Sequence, residues 1–238
     1  MNSAKRFYER IYAEGRKGWG PTGLLGWLYT HLKKYELHRV DAAISLLDRG
    51  DKLLDLGCGD GMLLAKSKIQ GKCNEVFGTD IAEVVVNRAN KTLQRVLKEK
   101  RRFNFKVANL DERFPYKDGF FDSVTCLAVL EHIFDPYFTV SEISRVLKKG
   151  GVLVLEVPNL VWLPRRITVL FGGLPKTGDE DGWDSAHLHY FTFIEAIKLL
   201  NKYGLSVEYA GTTGVFASIR NIWPTLLGGD IIIKARKK

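Results

Sequence analysis

A glycine triplet limits what this chain can fold into more than any other feature. Residues 52–64 read KLLDLGCGDGMLL, an apolar run ending in Asp55 and Leu56 and then Gly57, Gly59 and Gly61. Glycine loses more conformational freedom on folding than any other residue. Three of them directly behind a buried strand therefore mark a backbone shape, or a close approach, that no side chain allows. MLLAKSKI (62–69) reads as a helix opening at the last of these glycines.

The same rhythm repeats downstream. NEVFGTDI (74–81), FNFKVANL (103–110), FDSVTCLAVL (121–130) and GVLVLEVPN (151–159) are short apolar strands. Between them lie the amphipathic helix AEVVVNRANKTLQRVLKEK (82–100) and DPYFTVSEISRVLKKGG (135–151). The latter is a helix with Asp135 as N-cap, Pro136 at its first position and Gly150 at its stop. Upstream, THLKKYELHRVDAAISLLDRG (30–50) has helical spacing that ends at Gly50. Short apolar strands alternating with helices predict a parallel sheet covered on both faces. After Asn159 the alternation stops, and residues 160–190 read as irregular. TFIEAIKLLNKYG (192–204) follows, a helix with a Thr192/Glu195 capping box, and then two last strands, LSVEYAG (205–211) and GGDIIIKARKK (228–238). Residues 160–190 are expected as an insertion over the carboxyl edge of the sheet, where open α/β sheets bind ligands.

The glycine turn is not a dinucleotide fingerprint. That pattern needs a third glycine where Met62 stands, and no Gly-Lys-Ser/Thr phosphate loop follows. The next strand ends in Asp80, a carboxylate placed to accept hydrogen bonds from ribose hydroxyls. A glycine turn and a ribose-reading acid without phosphate machinery point to an adenosine carried on something other than phosphate.

These motifs together resemble the class I S-adenosylmethionine-dependent methyltransferases. LLDLGCGDG matches the family's first motif and VFGTDIA its second. ANLDERFPYKDGFFDSVTCLAVLEHIFDP matches the third and fourth, and VLKKGGVLVLEVPN the fifth strand and its approach. The likeness runs from about residue 35 to 160 and continues more weakly through HLHYFTFIEAIKLLNKYGLSVE. It is nearest the small-molecule branch, which includes quinone-biosynthesis and sugar-pathway enzymes. It implies a Rossmann-like, doubly wound sheet of seven strands, mostly parallel, with an antiparallel last strand inserted beside the fifth. It also implies S-adenosylmethionine as methyl donor and S-adenosylhomocysteine as product. By this resemblance Gly57, Cys58 and Gly59 bring backbone to the methionyl part, and Asp55 receives its amino end. Asp80 holds the ribose and Ile81 packs on adenine. Asn109 with Leu110 faces the adenine amino group, with Asp111 as the alternative acid, and Leu127 lines the methionyl side. Cys58 itself reads as a packing residue, with no neighbour that lowers its pKa.

Catalytic candidates are histidines. His132 belongs to the Glu131-His132 pair after the fourth strand. His187 and His189 flank Leu188 in HLHYFTF, so an extended segment points both the same way. Imidazole titrates near neutral pH and can take a proton from an acceptor hydroxyl. The alternative is that one of the pair ties its loop to Asp181 or Asp184. His31 and His38 fall on the helix of residues 30–50. Tyr8, Tyr12 and Trp19 mark an aromatic N-terminal segment.

The 238 residues suit a single domain: an N-terminal lid (1–35), a cofactor-binding core (36–159), a substrate cap (160–190), and a C-terminal helix with the last two strands (191–238). The net charge of +9 is dispersed in short clusters. Weak nucleic-acid contact is compatible with that, but no reading element is present. Neither the Asn/Asp-Pro-Pro-aromatic turn of base-amino methyltransferases nor a cysteine preceded by proline occurs. Cys58, Cys73 and Cys126 form no CxxC and no metal-ligand spacing, which suits a reducing compartment. Without an apolar leader or a run of membrane-span length, a cytoplasmic enzyme acting on a small-molecule acceptor is expected. RNA or another macromolecule as acceptor, or a binding module without catalysis, are the alternatives.

Overall fold

The structure, a computed structural model, describes residues 35–178 and 184–238 together with Arg6, Glu9, His31 and Leu32. The expectations for Tyr8, Tyr12, Trp19 and Asp181 lie outside the described residues. In chain order the elements are β1 (Glu36–Leu37), α1 (Arg39–Leu46), β2 (Lys52–Leu56), α2 (Met62–Ile69), β3 (Glu75–Asp80), α3 (Glu83–Leu97), β4 (Asn104–Val107) and β5 (Phe121–Leu127). They continue with α4 (Pro136–Val146), β6 (Leu147–Pro158), α5 (Leu163–Leu170), α6 (Phe193–Lys202), β7 (Leu205–Gly211), β8 (Gly214–Val215), α7 (Ala217–Arg220), α8 (Pro224–Leu227) and β9 (Asp230–Lys237).

Seven strands form one sheet in the order β4-β3-β2-β5-β6-β9-β7. Strands β2 to β6 are mutually parallel, and β9 runs antiparallel between β6 and β7. This is the Rossmann-like sheet the sequence implied. Side chains alternate across it with the period of two that a strand imposes. Leu153, Leu155 and Val157 join one core with α4 and α6, through Val140, Ile143, Phe193 and Leu200. Val152 and Val154 join the other with α1, α2 and α3, through Ala43, Leu64, Ala89 and Leu93. Both faces are thus buried, which is why the strands read as continuous apolar runs. A fully buried leucine such as Leu155 contributes roughly 1.5–3 kcal/mol by leaving water.

Three local expectations need correction. In the segment of residues 30–50, His31 and Leu32 are helical, but the helix that carries the apolar spacing spans Arg39–Leu46 and ends before Gly50. His38 is its N-cap, with Nδ1 accepting from the Val40 N–H at 3.3 Å, and the preceding Glu36–Leu37 is a strand paired with β8. Helix α4 keeps its Asp135 cap, which accepts from the Phe138 N–H at 2.9 Å, but ends at Val146 rather than at Gly150. Leu147 is fully buried and already pairs with Phe121, so the sheet takes the chain before the glycine does. Residues 160–190 are not wholly irregular, since α5 lies among them and begins with Pro164 in its first turn.

The winding sets the site. The chain goes outward from β2 through β3 to β4, then returns to start β5 on the other side of β2. The carboxyl ends of β2 and β5 therefore flank a crevice where the winding reverses, the ligand-binding position of such sheets.

Candidate active site

Each glycine of the turn has its own reason. Gly57 has φ +66°, and a Cβ there would lie 2.3 Å from Val129 Cγ2. Gly61, at φ +78°, is the N-cap of α2, where a Cβ would press on Ala89 and Leu93 of α3. At Gly59, φ +52°, a Cβ would meet nothing within 4 Å. The first and third glycines serve close packing, whereas the middle one faces open space. Cys58 is held by its N–H donating to the Thr79 carbonyl at 2.9 Å. Burial pushes its thiol far above the usual range.

Asp55 lies on β2 beside Thr125 of β5, whose Oγ1 donates to Asp55 Oδ1 at 2.7 Å. Burial pushes the Asp55 carboxyl up to about 7 against that hydrogen bond. Asp80, at the end of β3, accepts from the Gly59 N–H at 3.3 Å and from the Ala82 N–H at 3.1 Å. Asp55, Gly57, Cys58, Gly59 and Asp80 thus converge on the crevice. Ile81 is half-buried directly after Asp80.

The adenine candidates are tied into their own turn. Asn109 donates to Glu112 Oε1 and accepts from the Asp111 N–H, both at 3.1 Å. Asp111 accepts from the Asp135 N–H at 3.0 Å. Leu110 is buried in the core beneath them. Leu127 is half-buried at the end of β5, paired with Glu156 of β6.

The histidines divide. The carbonyl of Glu131 accepts the N–H groups of Leu188 and His189 at 2.8 and 3.1 Å, which draws the HLH segment against the end of β5. The His187 ring meets the His132 ring edge-on, centroids 4.6 Å apart. His187 Nδ1 lies 2.6 Å from Thr177 Oγ1, and Thr177 Oγ1 donates to Asp184 Oδ2 at 2.8 Å. Burial, with His132 adding to it, pushes His187 down to about 4. His189 Nε2 lies instead 3.1 Å from the Phe134 carbonyl. Asp184 is therefore linked to His187 through Thr177.

Two buried acids complete this edge. The Glu131 carboxylate is 1% exposed and has no hydrogen-bond partner on either oxygen, and burial pushes it up to about 8. Glu156 accepts from Thr213 Oγ1 at 2.9 Å and lies 3.4 Å from Arg39 Nε. Burial outweighs that guanidinium and lifts Glu156 to about 7. The sequence reading passed over Glu156 and Arg39. The signal for the first was a lone acid inside the apolar run VLVLEVP, a position that charged residues avoid unless they are paired.

Residues 54–155 match the family model described as "Methyltransferase domain". The ubiquinone biosynthesis O-methyltransferase of Dechloromonas aromatica is 32% identical over 120 residues, half of this chain and 49% of that protein. The enzyme of the same description from Marinobacter nauticus is 29% identical over 152 residues, 63% of this chain and 60% of its own length. The chain thus spans about half the length of the curated relatives it matches. Magnesium protoporphyrin IX methyltransferase of Synechocystis PCC 6803, solved with bound S-adenosylhomocysteine, superposes with a TM-score of 0.64 at 22% identity. That superposition covers all of this chain and 96% of that one, a likeness of fold. Residues 54–155 therefore resemble a methyltransferase domain, and the sheet that holds them has the fold of the S-adenosylmethionine-dependent methyltransferases. Within that class the chain resembles the ubiquinone biosynthesis O-methyltransferases.

Proposed function

We propose that this protein transfers a methyl group from S-adenosylmethionine to a small-molecule acceptor. The observation that carries the reading is the pairing of Asp80 with Gly59 beside the open face of the glycine turn, at the point where the winding reverses. When bound, the donor supplies a methyl group already activated by its sulfonium centre.

The residues fit that donor. Asp55 is an acid held where its charge is costly, with Thr125 bonded to one oxygen, so a cationic amino group beside it would be well placed to keep it ionised. Gly59 leaves room for a methionyl chain to pass close to the backbone. Asp80 offers a carboxylate to ribose hydroxyls, Ile81 an apolar face to adenine, and Asn109 or Asp111 an acceptor for the adenine amino group. Leu110 and Leu127 supply apolar walls. The protein then aligns donor and acceptor and excludes water.

Relatives named as O-methyltransferases make a hydroxyl the first acceptor to test. A hydroxyl needs a base, and His132, His187 and His189 lie on the segments closing over this edge. Residues 160–178 and 184–190 serve as cap in this reading, with α5 among them, while the lid expected for residues 1–35 lies almost wholly outside the described residues. The proposed compartment is the cytoplasm. Its support is three free, buried cysteines, and among the described residues no helix is long and apolar enough to cross a membrane.

Calorimetry with S-adenosylmethionine, S-adenosylhomocysteine and NAD tests the site. Heat with both adenosyl ligands and none with NAD is expected. NAD binding with silent adenosyl ligands would overturn the reading. Methylation of a single tightly bound RNA at physiological salt would replace the small-molecule acceptor by RNA.

A further inference from the structure

We infer that Glu131, His132 and His187 form a binding site for a divalent transition-metal ion of the zinc class. Each offers one ligand atom, and these atoms lie within 4.8 Å of one another. Two come from the short helix Leu130–His132 behind β5 and the third from the segment before α6. The site is therefore assembled by tertiary structure, and no ligand spacing announces it in the sequence.

Independent observations point to an ion rather than to a chance cluster. The first is the Glu131 carboxylate, which is buried with both oxygens unpartnered. Buried acids are paired, hydrogen-bonded or bound to a metal, because an unmet carboxylate in an apolar setting is costly. Among the described residues only its own backbone N–H and the more distant Arg39 guanidinium favour its charge, and burial outweighs both.

The second is the state of the imidazoles. Thr177 has a single hydroxyl proton, and it is donated to Asp184 Oδ2 at 2.8 Å. Thr177 Oγ1 must then accept from His187 Nδ1, 2.6 Å away, which leaves the lone pair of His187 on Nε2. In His132, Nδ1 lies 3.4 Å from the Ala186 carbonyl, an acceptor only, so in the tautomer that makes this hydrogen bond Nε2 is the nitrogen that would meet the ion. An imidazole fixed by a hydrogen bond from its other nitrogen is how protein metal sites orient their histidines. The chain Asp184–Thr177–His187 has that form, with a hydroxyl between acid and ring.

The donor set selects the ion. Two imidazoles and one carboxylate suit zinc and its neighbours, whereas magnesium and calcium take oxygen ligands. Zinc ligands sit about 2.0–2.2 Å from the metal, so small rotamer shifts would draw the three groups together. Three protein ligands leave a further position for water or another small ligand, as in zinc sites that keep an open coordination position. With the ion bound, His132 and His187 have no lone pair left for a proton, so of the three base candidates only His189 keeps that role, and the ion fastens the segment of residues 184–189 to the end of β5.

The test uses the full chain without methyl donor, so its outcome is separate from the methyl-transfer reading. The protein is loaded with zinc, dialysed against metal-free buffer and analysed for bound metal. Cobalt substitution and its visible absorption report the ligand set. One zinc per chain is expected, with magnesium and calcium failing to displace it. Glu131→Gln, which keeps the shape of the side chain, and His187→Ala should each weaken zinc binding by more than the roughly 10–100-fold that changes outside the ligand set cost. His189→Ala, whose ring is turned to the Phe134 carbonyl, should leave it unchanged. Circular dichroism and S-adenosylhomocysteine binding check that the variants fold. No retained metal in the parent, or zinc retained equally by folded Glu131→Gln and His187→Ala, overturns the site.

Discussion

The carboxylate of Asp80 reaches from the end of β3 to the backbone N–H of Gly59, 3.3 Å away on the turn behind β2. The acid proposed to bind the ribose and the glycine turn, 21 residues apart in sequence, are therefore one unit before any ligand enters. Asp80→Ala removes an acceptor from both Gly59 and Ala82. It should weaken S-adenosylhomocysteine binding at least tenfold and cost about 1–2 kcal/mol of stability. Calorimetry and denaturant unfolding read the two effects separately. An unchanged dissociation constant removes Asp80 from the site.

The first two glycines separate packing from binding. Gly57→Ala drives a Cβ to 2.3 Å from Val129 Cγ2 and should destabilise the fold by roughly 1–3 kcal/mol. Val129→Ala should return part of that loss. Gly59→Ala meets no neighbour, so its stability cost is the left-handed conformation alone, about 1 kcal/mol. Its loss of cofactor affinity should be the larger effect. Equal ligand binding by Gly59→Ala and the parent would show that the methionyl part lies elsewhere.

Asp55 predicts a pH dependence with a definite sign. Its folded pKa is raised to about 7, so ionisation opposes folding. Its contribution to stability is full below the unfolded value of about 3.9 and is lost as pH rises toward 7. A bound ammonium group favours the ionised form. Affinity for S-adenosylmethionine should therefore fall as pH drops below 7, with proton release on binding, and level off above it. Asp55→Asn should raise the ligand-free melting temperature at pH 8 while weakening the cofactor. Calorimetry in buffers of different ionisation heat counts the released proton. Affinity independent of pH between 6 and 8 would contradict the assignment.

The thiols should be inert. Burial raises Cys73 to about 11 and also pushes Cys58 and Cys126 well up, so the thiolate is scarce at neutral pH. Alkylation of the native protein should be slow at all three and become fast on unfolding. Rapid labelling of Cys58 in the folded state would mean that the turn opens.

Local chemistry carried much of this into the sequence. The Asp55–Gly61 turn was legible because backbone geometry there excludes other residues. The N-cap of α6 was legible because Thr192 Oγ1 accepts the Glu195 N–H, three residues on. Element ends were harder where tertiary pairing decides them. Leu147 has helical surroundings but a strand partner in Phe121, and Leu37 has helical spacing but pairs with Gly214. The contact of His187 with His132 and the link of Arg39 to Glu156 join residues far apart in the chain, and periodicity carries no trace of either.

Methyl transfer itself is tested most directly with a donor carrying an isotopically labelled methyl group, incubated with small-molecule extracts and read by product mass. The expected result is a labelled product formed by the parent protein and lost in Asp80→Ala. Tight S-adenosylhomocysteine binding with no labelled product from any extract or candidate hydroxyl acceptor would contradict it and leave a binding module without turnover.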